Sequence, residues 1–186
     1  MDQTDPKTRI FVCLPLGRAA DEIEKFIEPL RVFRDYKWAT RPQLHITLKF
    51  IGDAAAERVT RLDSNLSRVG GTLPFSFSLS SAGFFPNAER ARTIWLGIGD
   101  GSGQLEKLAA SVDRAAAASG FEKERRAFHP HVTLARARGE RPTPLALIEA
   151  LAKAPSLTET CGRFILMKSV LSPAGAIYSP MAEYPL

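Results

Sequence analysis

The chain has 186 residues, enough for one domain or for one domain built from two similar lobes. Hydrophobic residues make up 45% of it and charged residues 24%, a balance that excludes a disordered chain and a disulfide scaffold. The formal net charge of +5 favours a polyanionic partner but does not identify one.

Two features bear on the compartment. The first six residues are acidic and polar, without the basic start and apolar run of a secretory signal, and no stretch approaches the roughly 18 apolar residues of a membrane span. Cys13 and Cys161 lie far apart, with no metal-binding spacing around them, so we interpret both as buried free thiols. We expect a cytoplasmic monomer with no membrane or protein partner.

The first half of the chain alternates segments of strand and helix character. A β-branched and aromatic run closed by a proline predicts a strand, and apolar residues at helical spacing predict a helix. Pro29 should end or kink the first helix. The predicted elements are a strand over 9–16, a helix over 19–33, a strand over 44–51 and a helix over 54–69 that Gly70 and Gly71 terminate.

The second half adds a hairpin and further alternation. Phe75 to Leu79 alternates apolar and polar residues and should pair with Thr93 to Ile98 across the turn at Pro86 and Asn87. The remaining predictions are a helix over 105–118, a strand over 131–138, a helix over 144–153, a strand over 164–171 and a short strand at 177–178. Several strands are adjacent in sequence, so we expect an antiparallel-rich α+β fold.

The most informative feature of the sequence is a short motif that occurs twice. The segment LHITLKF at 44–50 and the segment PHVTLAR at 130–136 each hold a histidine, a β-branched residue, a threonine and a leucine in the same order. His45 and His131 are two of the three histidines and lie 86 residues apart (131 minus 45). This spacing predicts two lobes related by a pseudo-twofold axis, each contributing one strand to a shared cleft.

Strand geometry explains why the repeated motif indicates a chemical site. Residues two apart share a face, so His45 points with Thr47 and His131 with Thr133. Two imidazoles and two hydroxyls around one small site suit a phosphate, because hydroxyls can donate to its oxygens. One neutral imidazole can take a proton from water while a protonated one gives a proton to the leaving alkoxide, and no metal or cofactor is required.

A single histidine in a strand is more often structural, and one H-x-T pattern is weak; two copies in matched strands are what favour catalysis. Gln43 stands where a counterpart of His129 would be, so we give His129 a structural or substrate-edge role. Arg125 and Arg126 could steer RNA, although most surface charge runs are only solvated. A solvated side chain is likewise our interpretation of Lys49.

At these residues the sequence resembles the two-histidine (2H) phosphoesterase superfamily, whose signature is a pair of H-x-[ST]-x motifs. The segment 127–136, AFHPHVTLAR, is similar to the corresponding segment of the RNA 2′,3′-cyclic phosphodiesterases, formerly called 2′-5′ RNA ligases. The N-terminal RIFV, the second-lobe WLG and the late tyrosine at 178 also resemble that family, so the resemblance covers nearly the whole chain.

The resemblance implies one bilobal domain over 1–186, with two antiparallel sheets around a central cleft and helices outside. It implies hydrolysis of the 2′,3′-cyclic phosphate of an RNA end or cyclic nucleotide to a 2′-phosphate. His131 would be the general base and His45 the general acid, with Thr47 and Thr133 as phosphate ligands. The reverse assignment of acid and base would give the same pH profile.

Phe50 and Arg136 each stand five positions after their histidine and could hold a nucleobase between them without reading its identity. Strict alternation puts both on the face opposite the histidines, so the strands must twist, end or bulge there. Core packing is the competing interpretation of Phe50.

Three other functions stay open at the level of sequence. The chain could be a 2H phosphodiesterase acting on another small cyclic phosphate or on a 2′-5′ linkage, or a module that binds RNA ends with little chemistry. It could be a metallohydrolase with histidine ligands, although no carboxylate stands at a convincing ligand spacing. No GxxxxGK[ST] loop is present, so ATP-dependent ligation has no visible nucleotide site.

Overall fold

The computed structural model describes residues 7–69, 73–173 and 175–186. In chain order its strands and α-helices are β1 (Thr8–Pro15), α1 (Arg18–Ile27), β2 (Tyr36–Trp38), β3 (His45–Ala54), α2 (Ala56–Leu66), β4 (Phe75–Phe85), β5 (Thr93–Ile98), α3 (Ser102–Ala118), β6 (His131–Ala137), α4 (Leu145–Leu151), β7 (Leu157–Cys161), β8 (Arg163–Ser172) and β9 (Gly175–Pro185). Short 3-10 helices lie at Glu28–Val32 and Arg41–Gln43.

The strands form one antiparallel sheet in the order β7-β4-β5-β6-β3-β1-β8-β9, and β2 also pairs with β6. At its centre β3 and β6 meet at a single registered pair, Ile46 with Val132. This pair divides the sheet into a first lobe (β3, β1, β8, β9) and a second lobe (β6, β5, β4, β7). The predicted antiparallel α+β fold is confirmed, and the two expected sheets are continuous through this one pair.

The two lobes repeat the same order of elements. The first uses β1-α1-β3-α2 and the second β5-α3-β6-α4, with β2 inserted after α1. In each lobe the first strand lies between the histidine-bearing strand and another strand, so β1 is flanked by β3 and β8, and β5 by β6 and β4. The pseudo-twofold relation expected from the repeated sequence motif is present in the topology.

The four α-helices of the described ranges pack on the same face of the sheet. Ile46 and Val132 are fully buried in a core that includes residues from every α-helix, among them Ile23, Leu62, Val112 and Leu147. Because side chains alternate between faces, the histidines beside Ile46 and Val132 point away from this layer. The opposite face carries a small cluster of Phe11, Cys13 and Ile165.

Several sequence expectations are refined by the structure. Helix α1 ends at Ile27, and Pro29 is the second residue of the 3-10 helix that follows, so the helix ends before the proline as predicted. The strands β2 and β7 were not predicted: the first has three residues, and the second, LTETC, is largely polar. Strand β9 runs well beyond Ile177 and Tyr178, because Pro180 is tolerated on an edge strand beside a register shift. Gly70 and Gly71 lie outside the described residues.

Cys13 and Cys161 are buried free thiols, as predicted, and burial raises the pKa of each to about 12. Among the helices of the described ranges, none has both the length and the hydropathy that a membrane crossing requires.

Candidate active site

The two histidine strands meet at the junction of the lobes. In the antiparallel register fixed by Ile46 and Val132, His45 lies alongside Thr133, and Thr47 lies alongside His131. The four side chains therefore form a diagonal arrangement on one face, with each histidine next to a threonine of the other strand. Each lobe contributes one half of the site.

A matched pair of β-bulges brings the later residues of each motif to the same face. Between β1 and β3 the register moves from Cys13–Thr47 to Val12–Lys49, so Leu48 is the extra residue. Between β5 and β6 it moves from Trp95–Thr133 to Ile94–Ala135, so Leu134 is the extra residue.

Leu48 and Leu134 stand at equivalent positions, three residues after each histidine. A one-residue insertion reverses the alternation beyond it. Phe50 and Arg136 consequently turn to the histidine face, and the bulge resolves the difficulty that strict alternation raised.

A cavity of about 310 Å³ opens on this face. His45, Thr47, Phe50, Thr133 and Arg136, five of the six predicted site residues, line it. His131 is not among the lining side chains and lies beside Thr47 across the strand pair. The other lining residues are Arg9, Phe11, Lys37, Trp38, Ala39, Gln43, Ala135, Ser169, Leu171, Ala176 and Tyr178.

His45 is held in an aromatic pocket of the first lobe. Its ring centroid lies 5.1 Å from that of Phe11 and 5.5 Å from that of Tyr178. Its Nε2 is 3.1 Å from the Thr47 hydroxyl. Burial lowers its pKa to about 4; a hydrogen bond with the Gln43 backbone acts in the opposite direction, and the charges of His131 and Arg136 lower it further. The imidazole is therefore neutral near pH 7 in the substrate-free protein.

His131 has a corresponding pocket in the second lobe. Its ring centroid lies 5.5 Å from that of Phe85 and 5.9 Å from that of Trp95. Its Nδ1 lies 2.7 Å from the His129 carbonyl oxygen, which can only accept, so Nδ1 carries the proton and Nε2 is left as the acceptor of the neutral ring. Burial lowers its pKa, the hydrogen bond to His129 opposes this, and the charge of Arg136 lowers it further.

His129 has the predicted structural role through its backbone, because its carbonyl oxygen accepts the hydrogen bond that orients His131. The prediction of a solvated Lys49 is wrong, because this side chain is buried. Its Nζ lies 2.7 Å from Asp113 Oδ1 and donates to the Glu122 carbonyl oxygen at 2.8 Å. The bulge at Leu48 turns this lysine to the helix-covered side, so it is neither solvated nor in the cleft.

The two arginines that could steer RNA or be only solvated are exposed. Arg125 and Arg126 lie 3.9 Å from Glu122 and 3.6 Å from Glu124, respectively. Neither lines the cavity.

Phe50 is exposed rather than core-packed, with 55% of its surface accessible. The guanidinium of Arg9 lies 4.9 Å from its ring centroid. Arg136 Nη1 donates to the Thr93 hydroxyl at 3.2 Å. An aromatic face and two guanidinium groups thus line the cavity.

Sequence reasoning assigned no site role to several lining residues. Arg9 and Phe11 come from β1, Lys37 from β2, and Ser169 and Tyr178 from β8 and β9. Tyr178 and the N-terminal RIFV had a signal, since both resembled the family, but the resemblance assigned them no role. Lys37 had none, because β2 was not predicted.

Comparison with known proteins agrees with this geometry. The model of the 2′-5′ RNA ligase superfamily matches residues 19–172. An RNA 2′,3′-cyclic phosphodiesterase of Aeropyrum pernix is 32% identical over 171 residues, covering 90% of this chain and 93% of the relative. A protein of the same name from Aquifex aeolicus is 28% identical over 177 residues, covering 94% and 93%.

Solved structures show the same fold. The crystal structure of E. coli LigT complexed with 3′-AMP superimposes with a TM-score of 0.73 at 26% identity, covering 97% of this chain and 98% of that one. The crystal structure of the Thermus thermophilus protein TT0787 gives a TM-score of 0.76 at 25% identity, covering 96% and 97%.

The fold and the paired histidine strands define a two-histidine phosphoesterase. Within that class, the chain belongs to the 2′-5′ RNA ligase superfamily.

Proposed function

We propose that this protein hydrolyses the 2′,3′-cyclic phosphate at RNA ends to a 2′-phosphate. The observation that carries the proposal is the antiparallel register at Ile46 and Val132, which brings one H-x-T strand from each lobe to a common face. Relatives named RNA 2′,3′-cyclic phosphodiesterase cover nearly the whole chain and support the choice of substrate.

In the proposed reaction, a water molecule attacks phosphorus, and the bond from phosphorus to O3′ breaks. His131 accepts the proton of the attacking water at Nε2, the nitrogen that the His129 carbonyl leaves free. His45 delivers a proton to O3′, which departs as the 3′ hydroxyl. These roles follow the family resemblance, and each positioned group contributes about 10² to 10⁴ in rate.

The pKa of His45 opposes this assignment in the substrate-free protein, because a ring with a pKa of about 4 is a poor proton carrier near neutral pH. A bound phosphodiester anion stabilises the charged imidazole and raises its pKa. The assignment in the complex therefore depends on which ring faces O3′, and a leaving-group substitution can test it.

The remaining predicted residues have binding roles in this proposal. Thr47 and Thr133 donate hydrogen bonds to the nonbridging phosphate oxygens, since both residues line the cavity and each lies beside a histidine of the opposite strand. Arg136 provides positive charge near both imidazoles. Phe50 and Arg136 bind the terminal base by its flat faces, supported by the exposure of the Phe50 ring.

We further propose that residues 1–186 act as one bilobal domain and as a cytoplasmic monomer. One hydrophobic core spans both lobes, which supports the single domain. Two buried unpaired thiols suit a reducing compartment. Light scattering of the purified protein tests the monomer, since a dimer would double the measured mass.

The experiment that tests the function is turnover of an RNA oligonucleotide ending in a 2′,3′-cyclic phosphate, in the presence of EDTA. We expect a 2′-phosphate product at an undiminished rate, because His45 and His131 supply the acid and base. A 3′-phosphate product would contradict the assignment of the leaving oxygen, and loss of activity in EDTA would favour a metallohydrolase. Tight binding without turnover would favour an RNA-end binding module.

A further inference from the structure

Three positive side chains line the cavity among the residues that the structure describes. They are Arg9, Lys37 and Arg136, and no aspartate or glutamate of those residues lines it with them. None of the three forms an ion pair within the same described ranges. The cyclic phosphodiester that the proposed function places at the histidines carries a single negative charge, so the cavity holds more positive charge than this group uses.

Two of these cations already have partners. Arg9 stacks on Phe50, and Arg136 donates to Thr93. The charge of Arg136 lowers the pKa of both His45 and His131, so it acts close to the reacting phosphate. Lys37 is the remaining cation: it does not stack on the Phe50 ring, and it is not among the groups that shift the pKa of His45 or His131.

Lys37 spans the cavity from the second lobe to the first. Its backbone pairs with Arg136 in β2 and β6. Its ammonium group lies over the start of β9, where a Cβ atom built on Gly175 would be 2.7 Å from Nζ. Gly175 has a φ of +139°, which favours glycine, and a side chain at this position would displace the lysine from where it lies.

Gly175 gives the position of the Lys37 ammonium group relative to the histidine site. Tyr178, three residues later on β9, packs against His45, and three residues of a strand span about 10 Å. Ser169 pairs with Tyr178 and also lines the cavity, so it lies at the histidine end of this gap. A gap of this size has room for one ribose with its 5′ carbon and a phosphate group at each end.

We propose that Lys37 binds the phosphate group on the 5′ oxygen of the terminal nucleotide, which makes the site selective for the end of a nucleotide chain over a bare nucleoside cyclic phosphate. This inference rests on the proposed function, since it places the cyclic phosphate at His45 and His131. The second ligand is a phosphate ester of the kind that links consecutive nucleotides.

Two matched substrates test the inference. One is adenosine 2′,3′-cyclic phosphate with a free 5′ hydroxyl, and the other is the same compound carrying a 5′ methyl phosphate diester, which adds one negative charge and no second base. We expect the wild-type protein to prefer the diester by about tenfold in kcat/KM, the size expected for one hydrogen bond to a charged group. Raising the salt concentration should reduce the preference.

Lys37→Gln should bring the ratio of the two kcat/KM values close to one, and Lys37→Arg should retain most of it. Because the readout is a ratio, a loss of folded protein or of common machinery affects both substrates equally. Lys153→Gln, a lysine outside the cavity, is the matched control and should keep the wild-type ratio.

A wild-type ratio near one, or a preference that survives in Lys37→Gln, would overturn the inference while leaving the proposed function in place. Turnover of neither substrate by the wild-type protein would overturn the proposed function and the inference together.

Discussion

The two lobes carry the same strand, the same bulge and the same threonine, but they differ in what surrounds the histidine. His45 lies between Phe11 and Tyr178, and burial lowers its pKa to about 4. His131 packs against Phe85 and Trp95, and burial lowers its pKa as well. The common backbone geometry brings the two imidazoles together, and the lobe-specific neighbours can make them different.

The difference continues along each strand. After the bulge the first lobe has Lys49 and Phe50, and the second lobe has Ala135 and Arg136. Lys49 is buried on the helix side and pairs with Asp113, whereas Ala135, at the equivalent position, has no charge that requires an ion-pair partner. Phe50 offers a ring in the cleft, where the second lobe offers a guanidinium. The repeat thus preserves the positions and varies the chemistry.

The largest expected effect comes from removing either histidine. His45→Ala and His131→Ala should each lower kcat by about 10² to 10⁴, because each removes one positioned proton-transfer group. Steady-state kinetics on a cyclic-phosphate-ended RNA measure this. His129→Ala is the matched control and should keep activity, since the hydrogen bond to His131 comes from the backbone carbonyl, which alanine retains. A fully active variant of either paired histidine would contradict the two-lobe site.

The buried lysine that only the first lobe has gives the next effect. Asp113→Asn leaves the Lys49 ammonium, 7% exposed, without its anion and should reduce the free energy of unfolding by about 3 kcal/mol. Urea denaturation measures the change. Adding Lys49→Met should recover most of the loss, because the charge that needed a partner is then absent; no recovery would mean that the cost has another origin.

Burial of His45 predicts a stability that depends on pH. Its pKa is about 4 in the folded state and about 6.5 in the unfolded chain, so the unfolded state binds more protons between these values. The contribution is fully present above about pH 6.5 and is lost as the pH falls toward 4, on the order of 3 kcal/mol.

Comparing wild type with His45→Asn at pH 7 and pH 4.5 isolates this contribution, because all other groups titrate in both proteins. The variant should lose less stability on acidification. Equal losses in the two proteins would show that His45 is not buried in its neutral form.

The smallest effect is expected at the exposed ring of the first lobe. Phe50→Leu should raise KM roughly fivefold, equivalent to about 1 kcal/mol of stacking, and by a similar factor for all four terminal bases. Leu145→Ala, an exposed apolar residue outside the cavity, is the control and should leave KM unchanged. A base-dependent change would show that Phe50 contributes to base identity.

The central strands and the histidine pair could be predicted because their information is local. The repeated H-x-T motif indicated which face of β3 and β6 carries the histidines. If Phe50 and Arg136 were to lie on the same face, each strand had to bulge, twist or end before them. The site of the bulge at Leu48 and Leu134 could not be read from alternation, since a leucine in a strand looks the same with or without an extra residue.

The rest of the site depends on pairings between distant segments. Lys37 enters the cavity because β2 pairs with β6 about a hundred residues later, and Tyr178 reaches His45 because β9 pairs with β8 at the end of the first lobe. Lys49 was assigned to solvent because nothing local reveals Asp113 opposite it. Such contacts are set by sheet order rather than by sequence pattern.

In the proposed mechanism one lobe supplies the acid and the other supplies the base for the same cyclic phosphate. The most direct measurement uses a substrate in which sulfur replaces the 3′ bridging oxygen, because a thiolate leaves without being protonated. We predict that His45→Ala then recovers to within about tenfold of wild type, the general acid being dispensable, while His131→Ala stays impaired. Recovery of neither variant, or of His131→Ala alone, would contradict the roles assigned to the two lobes.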